Sequence, residues 1–338
     1  MALTERQHQV LRIIVGEYIH SPVPVSSEGV AHKMPAPVSS ATIRNEMAVL
    51  EEEGYVARRH TSGGGVPSDK AYRAYVESLG DALEPSRRVK EQVRRNFQTA
   101  SLDVEARNRS AVRLLAELER AMAVATMPTS EEARWKHLDL VHLQGLLALL
   151  IMVIEGSGHL KQQHVLLREP MSQDQLTQLS NKLNAKMAGL GTDQVLARSG
   201  GFAGVEQDFI SLAASFMREE EQQSIPDYFV DGLRHMFAYP ELAEGTQARA
   251  IAEILEYQGL VKALLGNVPE QGVVRVTIGA EHKEDLLRPF TVVFTRYGTP
   301  SGGRGVVGVM GPTRFEYASA ISNVRYLASV MGNMAAAV

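Results

Sequence analysis

The segment that decides the fold reads VSSATIRNEMAVLEEEGY at residues 38–55. Ser39 or Ser40 is a suitable N-cap, because a serine hydroxyl accepts a hydrogen bond from the unpaired amides at a helix start. The sequence therefore predicts a helix that begins here and ends at Gly54, since glycine readily adopts the backbone conformation that closes a helix. Its apolar residues recur at helical spacing and share one face: Ile43, Met47 and Leu50.

Two helices are predicted upstream of this segment. Residues 4–7 have the spacing of a capping box, and apolar residues recur at helical intervals after them, which predicts a helix from about Thr4 to His20. The prolines at positions 22 and 24 end it, and Ser26 or Ser27 caps a short helix that ends near Met34. A helix, a short helix and a capped helix are the order of a helix-turn-helix domain.

Polar groups on the third helix point away from its apolar face, where a DNA major groove would lie. Arg44 could contact guanine through two hydrogen bonds and Asn45 could contact adenine in the same way. For Thr42 and Asn45, hydrogen bonding at the helix start is the alternative. The predicted readout residues are Ser39, Ser40, Thr42, Arg44 and Asn45.

The next residues predict a β-hairpin, the wing of a winged helix-turn-helix domain. Residues 55–60 read as a strand, residues 62–65 as a glycine-rich turn, and Val66 begins the return. The wing residues expected near DNA phosphates are Arg58, Arg59 and His60. The alternative is that these are solvated charges on an ordinary hairpin. Lys70 and Arg73, on a later helix capped by Ser68, are secondary phosphate candidates.

Charge alone does not predict DNA binding. Residues 1–80 carry eight Lys and Arg against nine Asp and Glu, and the whole chain has a formal charge of −4. Glu51, Glu52 and Glu53 cluster at the end of the third helix far from its cap, so the positive side of the domain could still face DNA. We expect modest nonspecific affinity, with specificity from a dimer that reads two half-sites.

Composition narrows the classes of protein that remain. The chain has 338 residues and no cysteine, which excludes disulfides, thiolate zinc sites and cysteine nucleophiles. Its first residues lack the regions of a signal peptide, and the most apolar run, residues 146–154, is shorter than the roughly 20 residues that span a bilayer. This run reads as a buried strand, and the sequence predicts a cytoplasmic protein without membrane contact.

The remainder of the chain alternates between strand and helix patterns. Three successive strands are predicted as an antiparallel meander at 137–143, 147–154 and 160–167. Three more are predicted at 273–278, 290–297 and 306–310. Helices are predicted at 87–100, 105–127, 173–190, 209–220, 228–237, 247–265 and 313–331. The whole is an α+β multidomain protein.

No catalytic, metal or cofactor site emerges from the motifs. The glycines at 302–305 lack the Gly-Lys-Ser/Thr ending of a phosphate-binding loop, so turns beside a strand are the better account. No pair of histidines has metal-ligand spacing beside a third ligand, and no Gly-x-Ser-x-Gly elbow is present. We predict a protein that is not an enzyme and carries no metal or cofactor.

Several segments together resemble the heat-inducible transcription repressor family HrcA, over essentially the whole chain. The segments are PVSS at 24–27, VSSATIRNEM at 38–47, LE at 50–51, GY at 54–55, HTS at 60–62, YRAYV at 72–76, DGL at 231–233, PE at 240–241, IGAE at 278–281 and GVMGPTRFEY at 308–317. One departure lies in the wing, where the family pattern has an arginine and this chain has Gly65. The wing contact that this arginine implies falls here to Arg58 or Arg59.

The resemblance implies a homodimeric repressor that binds double-stranded DNA at an inverted-repeat operator upstream of chaperone genes, with its activity modulated by the chaperonin. It also implies a GAF-like domain interrupted by an inserted, mostly helical dimerising domain. The expected division is a winged-helix domain at 1–80, a linker and helix at 81–98, the GAF-like domain at 99–172 and 250–338, and the insertion at 173–249. The alternative is a winged-helix regulator whose GAF-like domain senses a small molecule.

Overall fold

The computed structural model is a mixed helix and sheet protein, which confirms the α+β class. The structure describes residues 3–58, 64–80, 83–98, 103–129, 133–155, 160–222, 226–243, 249, 251–254, 259–266, 268–298 and 303–335. The first elements are α1 (Glu5–His20), α2 (Ser27–Lys33), α3 (Ser40–Glu52), β1 (Val56–Ala57), β2 (Val66–Pro67), α4 (Asp69–Ser78), α5 (Arg87–Gln98) and α6 (Val104–Glu119). They are followed by β3 (Met122–Thr126), β4 (Arg134–Gln144), β5 (Leu147–Glu155), β6 (Leu160–Leu166), α7 (Gln173–Met187), α8 (Thr192–Ser199) and α9 (Val205–Gln222). The last are β7 (Tyr228–Asp231), α10 (Leu233–Met236), α11 (Pro240–Ala243), α12 (Gly259–Leu265), β8 (Val274–Ile278), β9 (Phe290–Gly298), β10 (Arg304–Pro312) and α13 (Tyr317–Ala335).

The first 80 residues form the predicted sequence of helices and hairpin. Thr4 caps α1 in a complete capping box, Ser26 caps α2, and Ser39 caps α3. Helices α1 and α3 bury their apolar faces in one core, and β1 pairs with β2 in antiparallel register. The buried residues of α3 are Ile43, Met47 and Leu50, as predicted.

A five-stranded antiparallel sheet forms the body of the protein, with strand order β7-β3-β10-β9-β8. Alternate residues of each strand point to opposite faces, so the sheet separates two cores. Ala123 and Val293 lie in the core shared with α6 and α13, whereas Val124 and Phe294 lie in the core shared with α10 to α12. The strands predicted at 273–278, 290–297 and 306–310 are confirmed.

A second unit lies between β3 and β7 in the chain. Strands β4, β5 and β6 form the predicted antiparallel meander, and helices α7 to α9 pack on one of its faces around the buried Trp135. The Trp135 indole donates to Asn184 Oδ1 at 2.9 Å, which satisfies its polar group inside this core. The chain leaves and re-enters the five-stranded sheet at adjacent points, where the Met127 amide donates to the Asp227 carbonyl at 2.6 Å.

Two predicted helices are partly wrong. Residues 105–127 were expected to be one helix, but α6 ends at Glu119, its cap residue Arg120 adopts the left-handed conformation, and β3 follows. Residues 228–237 were also expected to be helical, but they begin with β7, the neighbour of β3 in the sheet. Every residue of β3 is buried, so this strand shows no alternation of apolar and polar residues that would distinguish it from a helix.

The predicted domain boundary at residue 172 lies between β6 and α7. Residues from both sides of it pack in a single core that extends from Ala133 to Met217. The predicted GAF-like domain, at 99–172 and 250–338, included β4 to β6 together with the later strands. Among the described residues, however, the three-stranded and five-stranded sheets share no strand.

Candidate nucleic-acid interface

The start of α3 is fixed by its own side chains. The Ser39 hydroxyl accepts from the Thr42 amide at 3.1 Å and lies 2.9 Å from the Thr42 hydroxyl. Two of the five predicted readout residues therefore make the helix cap, which was the alternative considered for Thr42. Ser39 remains exposed and Thr42 half-buried, so both still lie at the surface that the helix start presents.

The exposed face of α3 carries the remaining readout candidates. Ser40, Arg44 and Asn45 are all exposed, and none of them makes a hydrogen bond with another part of the chain that the structure describes. The four-residue spacing of Ser40 and Arg44 places them on the same side of the helix, with Asn45 beside Arg44. Ala41 is exposed on the same turn and Ala48 is half-buried one turn later, so small residues flank the polar group.

Helix α1 holds α3 through Glu46, on the side next to the readout face. The Glu46 carboxylate lies 3.5 Å from the Arg6 guanidinium and accepts from Gln7 Nε2 at 3.1 Å. These contacts use a charged residue of the VSSATIRNEM segment for packing rather than for DNA. They also fix the rotation of α3 about its axis. Because Arg44 is on the same short helix as Glu46, this rotation sets the direction in which Arg44 points.

The wing begins beside the end of α3. Arg58 donates from Nε to Glu51 Oε2 at 2.7 Å, and its side chain is only 7% exposed. Arg58 thus joins the wing to α3, and it would have to leave Glu51 to contact a phosphate. Arg59 and His60, the other wing candidates, lie outside the described residues.

The glycines of the wing allow a close approach to the segment before α2. Gly65 exchanges backbone hydrogen bonds with Val25 at 2.8 and 2.9 Å and is buried. A β-carbon added at Gly65 would lie 2.6 Å from Val56 Cγ1 and 3.0 Å from Met47 Cε. An arginine would therefore not fit here unless Val56 shifted, which gives a physical reason for the departure noted in the sequence.

The secondary phosphate candidates have other partners. Lys70 donates to the Glu53 carbonyl at 2.6 Å, and its ammonium lies 4.1 Å from the centre of the Tyr55 ring. Arg73 pairs with Glu281 of the five-stranded sheet domain. Sequence reasoning missed this contact, although residues 278–281 belong to the segments that prompted the resemblance. Of the predicted DNA-contacting residues that the structure describes, those at the start of α3 are therefore the ones that stay available for DNA.

Within the described residues no group of histidine and carboxylate side chains is arranged to hold a metal ion, and no helix is both long and apolar enough to cross a membrane. A cavity of about 260 Å³ lies between β8 and α12. Phe294 and Leu264 form part of its wall and Arg275 and Thr277 contribute polar groups.

Comparison with known proteins gives a consistent result. A family model described as the HrcA protein C-terminal domain matches residues 108–321. The heat-inducible transcription repressor HrcA of Dehalococcoides mccartyi is 36% identical over 334 residues, covering 99% of this chain and 96% of that protein. The proteins of the same description from Chloroflexus aurantiacus and Herpetosiphon aurantiacus are each 33% identical, cover 99% of this chain, and are themselves covered over 94% and 96% of their lengths.

A solved structure supports the fold over the same length. The crystal structure of a hypothetical protein aligns with a TM-score of 0.65 at 24% identity, covering 99% of both chains. This likeness concerns the fold alone.

Proposed function

Since the chain belongs to the HrcA family of heat-inducible transcription repressors, we propose that it represses heat-shock genes as a homodimer bound to an inverted-repeat operator. Each winged-helix domain occupies one half-site, with the start of α3 in the major groove. The observation that carries this proposal is the exposed group Ser40, Arg44 and Asn45 on a helix whose cap and rotation are fixed by Ser39 and Glu46.

Two kinds of contact are distinguished within this interface. Arg44 reads guanine and Asn45 reads adenine, each contributing about 1 to 3 kcal/mol of discrimination against the wrong base. Ser40 adds a hydroxyl to this base readout, whereas the wing residues Arg59 and His60 contact phosphate and fix the register of the domain on the duplex. Arg58 supports the wing through Glu51, and Ser39 and Thr42 hold the helix start beside the backbone.

The operator is tested by selecting bound fragments from random duplexes and measuring affinities by fluorescence anisotropy. We expect Arg44→Ala to lose most of the preference for the selected duplex over a scrambled one, and Arg59→Ala to weaken both equally. Arg12→Ala, which removes an exposed arginine of α1, is the matched control and should change neither. An equal loss on both duplexes for Arg44→Ala would remove its base-reading role.

The dimer forms through the three-stranded sheet. One face of β5 is buried under helices α7 to α9, whereas the opposite face carries Leu147, Leu149, Ile151 and Val153, all half-buried. Neighbouring strands add both apolar and polar groups to this surface: Val141 pairs with Leu149 and the exposed Leu160 with Val153, whereas Asp139 and Gln162 flank Ile151. An apolar strand with polar neighbours is typical of a protein interface. The inserted unit is thus assigned to about residues 130–227 rather than 173–249, between two parts of a GAF-like sheet domain.

Sedimentation of the purified protein tests this surface. Ile151→Lys places a charge at the centre of the face and should convert the dimer to monomer. Val23→Lys changes a residue that is 63% exposed on the winged-helix domain and should leave the dimer intact. A dimer that persists in Ile151→Lys would place the interface elsewhere.

A second candidate function follows from the cavity between β8 and α12, which combines an apolar wall with Arg275 and Thr277. The lining also includes Lys283 and the carboxylates Glu281 and Glu284. Such a cavity suits a small molecule with an apolar body and both an acidic and a basic group, so the sheet domain would act as a sensor. Binding to the folded state raises the melting temperature. A thermal-shift screen of small carboxylic acids discriminates the two functions, since Arg275→Ala should abolish any stabilisation without affecting DNA affinity.

A further inference from the structure

Helix α4 is joined to the five-stranded sheet by a charged contact between residues far apart in the chain. The Arg73 guanidinium donates from Nε to Glu281 Oε1 at 2.6 Å, and its Nη2 donates both to the second oxygen of that carboxylate and, at 2.6 Å, to the Val276 carbonyl on β8. The two side chains are 30% and 35% exposed, so water reaches them only in part. Because the guanidinium is planar, this fork fixes direction as well as distance.

A second contact lies one turn earlier on the same face of α4. Asp69 Oδ2 accepts from the Ala280 amide at 2.8 Å. The approach is possible because Gly279 has no side chain and a φ of +52°: an added β-carbon would overlap the Asp69 carboxylate. We call Asp69, Arg73, Gly279, Ala280 and Glu281 together the joint.

Aromatic packing surrounds the joint on the side of α13. The Tyr72 and Tyr75 rings lie 5.8 and 6.3 Å from the Tyr317 ring. Arg314 pairs with Glu241 and donates to the Ile19 carbonyl at the end of α1 at 3.4 Å. The winged-helix domain is therefore held to the sheet domain through α1 and α4. Any rotation of one domain against the other would break the polar and the aromatic contacts together.

The same stretch of α4 also holds the end of the DNA-reading helix. Ser68 donates to the Gly54 carbonyl at 2.7 Å and Lys70 to the Glu53 carbonyl at 2.6 Å. Residues 68 and 70 thus hold α3, while residues 69 and 73 hold the sheet domain. The sheet domain continues into the inserted unit from the ends of β3 and β7, where the Met127 amide donates to the Asp227 carbonyl. The joint therefore lies between the readout face and the unit that carries the proposed dimer surface.

We propose that the joint sets the distance and relative orientation of the two α3 helices in the dimer, and that Arg73 is a positioning residue that determines which spacing between operator half-sites is bound. The inference rests on the proposed homodimeric repressor. A dimer with rigidly held domains accepts half-sites only at one separation, because each added base pair rotates the second half-site around the duplex and about five place it on the opposite side. Winged-helix domains released from the joint would reorient and bind half-sites at either separation.

The experiment measures affinity for a series of operator duplexes in which the spacer is lengthened or shortened by one to five base pairs, with a single half-site as reference. The unchanged protein should lose at least tenfold in affinity when the spacer changes by five base pairs. Arg73→Ala should lose less than threefold over the same series, with an unchanged affinity for the single half-site. Arg168→Ala breaks an exposed ion pair with Asp208 in the inserted unit and should keep the spacing preference of the unchanged protein.

A charge exchange separates positioning from folding. Arg73→Glu should abolish the spacing preference, and Arg73→Glu combined with Glu281→Arg should restore it in part, which loss of a folded domain cannot do. The inference is overturned if Arg73→Ala keeps the full spacing preference. It is also overturned if Arg73→Glu keeps its half-site affinity but the double variant shows no spacing preference. If the unchanged protein does not distinguish the selected operator from scrambled DNA, the proposed function itself fails instead.

Discussion

At the scale of single residues, the wing glycines show how a missing side chain shapes a DNA-binding domain. Gly65 is buried between Val25, Val56 and Met47, so the hairpin packs against the chain before α2. The sequence predicted a flexible turn at this point, because glycine is frequent in turns. The contact with Val25 spans 40 positions in the chain, which local sequence patterns do not reveal.

Gly65→Ala should destabilise the winged-helix domain, because its β-carbon would force Val56 to move. We expect a loss of about 1 to 3 kcal/mol in the free energy of unfolding, as for an overpacked core, and a larger loss for Gly65→Arg. Urea denaturation followed by circular dichroism measures it.

The matched control for that measurement is Gly16→Ala. A β-carbon at Gly16 meets no atom within 4 Å, and the residue lies inside α1. It should stabilise the protein by roughly 0.5 to 1 kcal/mol, since alanine favours a helix interior. Equal effects from both variants would mean that the contact with Val56 has no energetic weight.

At the scale of elements, the cap of α3 separates two adjacent serines by role. Ser39→Ala removes the hydroxyl that accepts from the Thr42 amide, and we expect it to cost about 1 kcal/mol of stability. Ser40→Ala changes an exposed side chain one residue later and should leave stability unchanged. If chemical denaturation shows the same loss for both, the cap does not lie at Ser39.

The elements themselves were predictable where a pattern marks both faces and both ends. Helix α3 was found from its cap, its three buried residues and its terminal glycine. Strand β3 was not, because all of its side chains are buried and a strand without a polar face resembles a short stretch of helix. The joint escaped prediction for another reason: Arg73 and Glu281 are 208 residues apart, and no local signal links them.

At the scale of the whole molecule, the sheet depends on contacts between distant segments. Strand β3 pairs with β10, for example Val124 with Gly308, after the whole inserted unit has intervened. Pairing across so many residues forms slowly and leaves apolar surface exposed while it forms. The family resemblance implies that the chaperonin modulates the repressor, and from this slow pairing we propose that the chaperonin controls how much active repressor is present.

Refolding of the denatured protein tests that proposal. We expect recovery of operator binding to be incomplete at micromolar concentration without chaperonin and to rise several-fold when chaperonin and ATP are added. An unfolded client protein added in excess should suppress this gain by competing for the chaperonin. Full recovery of operator binding without chaperonin would contradict a folding-limited repressor.

Stability should also depend on pH through one buried carboxyl group. Glu119 at the end of α6 accepts from Asn323 of α13 at 2.6 Å, and burial raises its pKa to about 7. The folded state therefore retains a proton that the unfolded chain releases. The stabilisation is present below about pH 4.5 and is lost as the pH rises through 7, by roughly 3 kcal/mol at most.

Glu119→Gln should reduce the fall in unfolding free energy between pH 5 and 8. Glu117→Gln, which alters a carboxylate of the same helix that is 48% exposed, should leave it in place. Denaturant titrations across this pH range decide the matter, and an undiminished fall in Glu119→Gln would assign it to another group.

The adjacent entry and exit of the inserted unit make it a detachable module. Because Met127 and Asp227 are joined by a hydrogen bond, a tight turn could replace the roughly 100 residues between them without stretching β3 or β7. The remaining chain would bind a single half-site, and a different oligomerising module grafted at this point would give a repressor with operator geometry chosen by design.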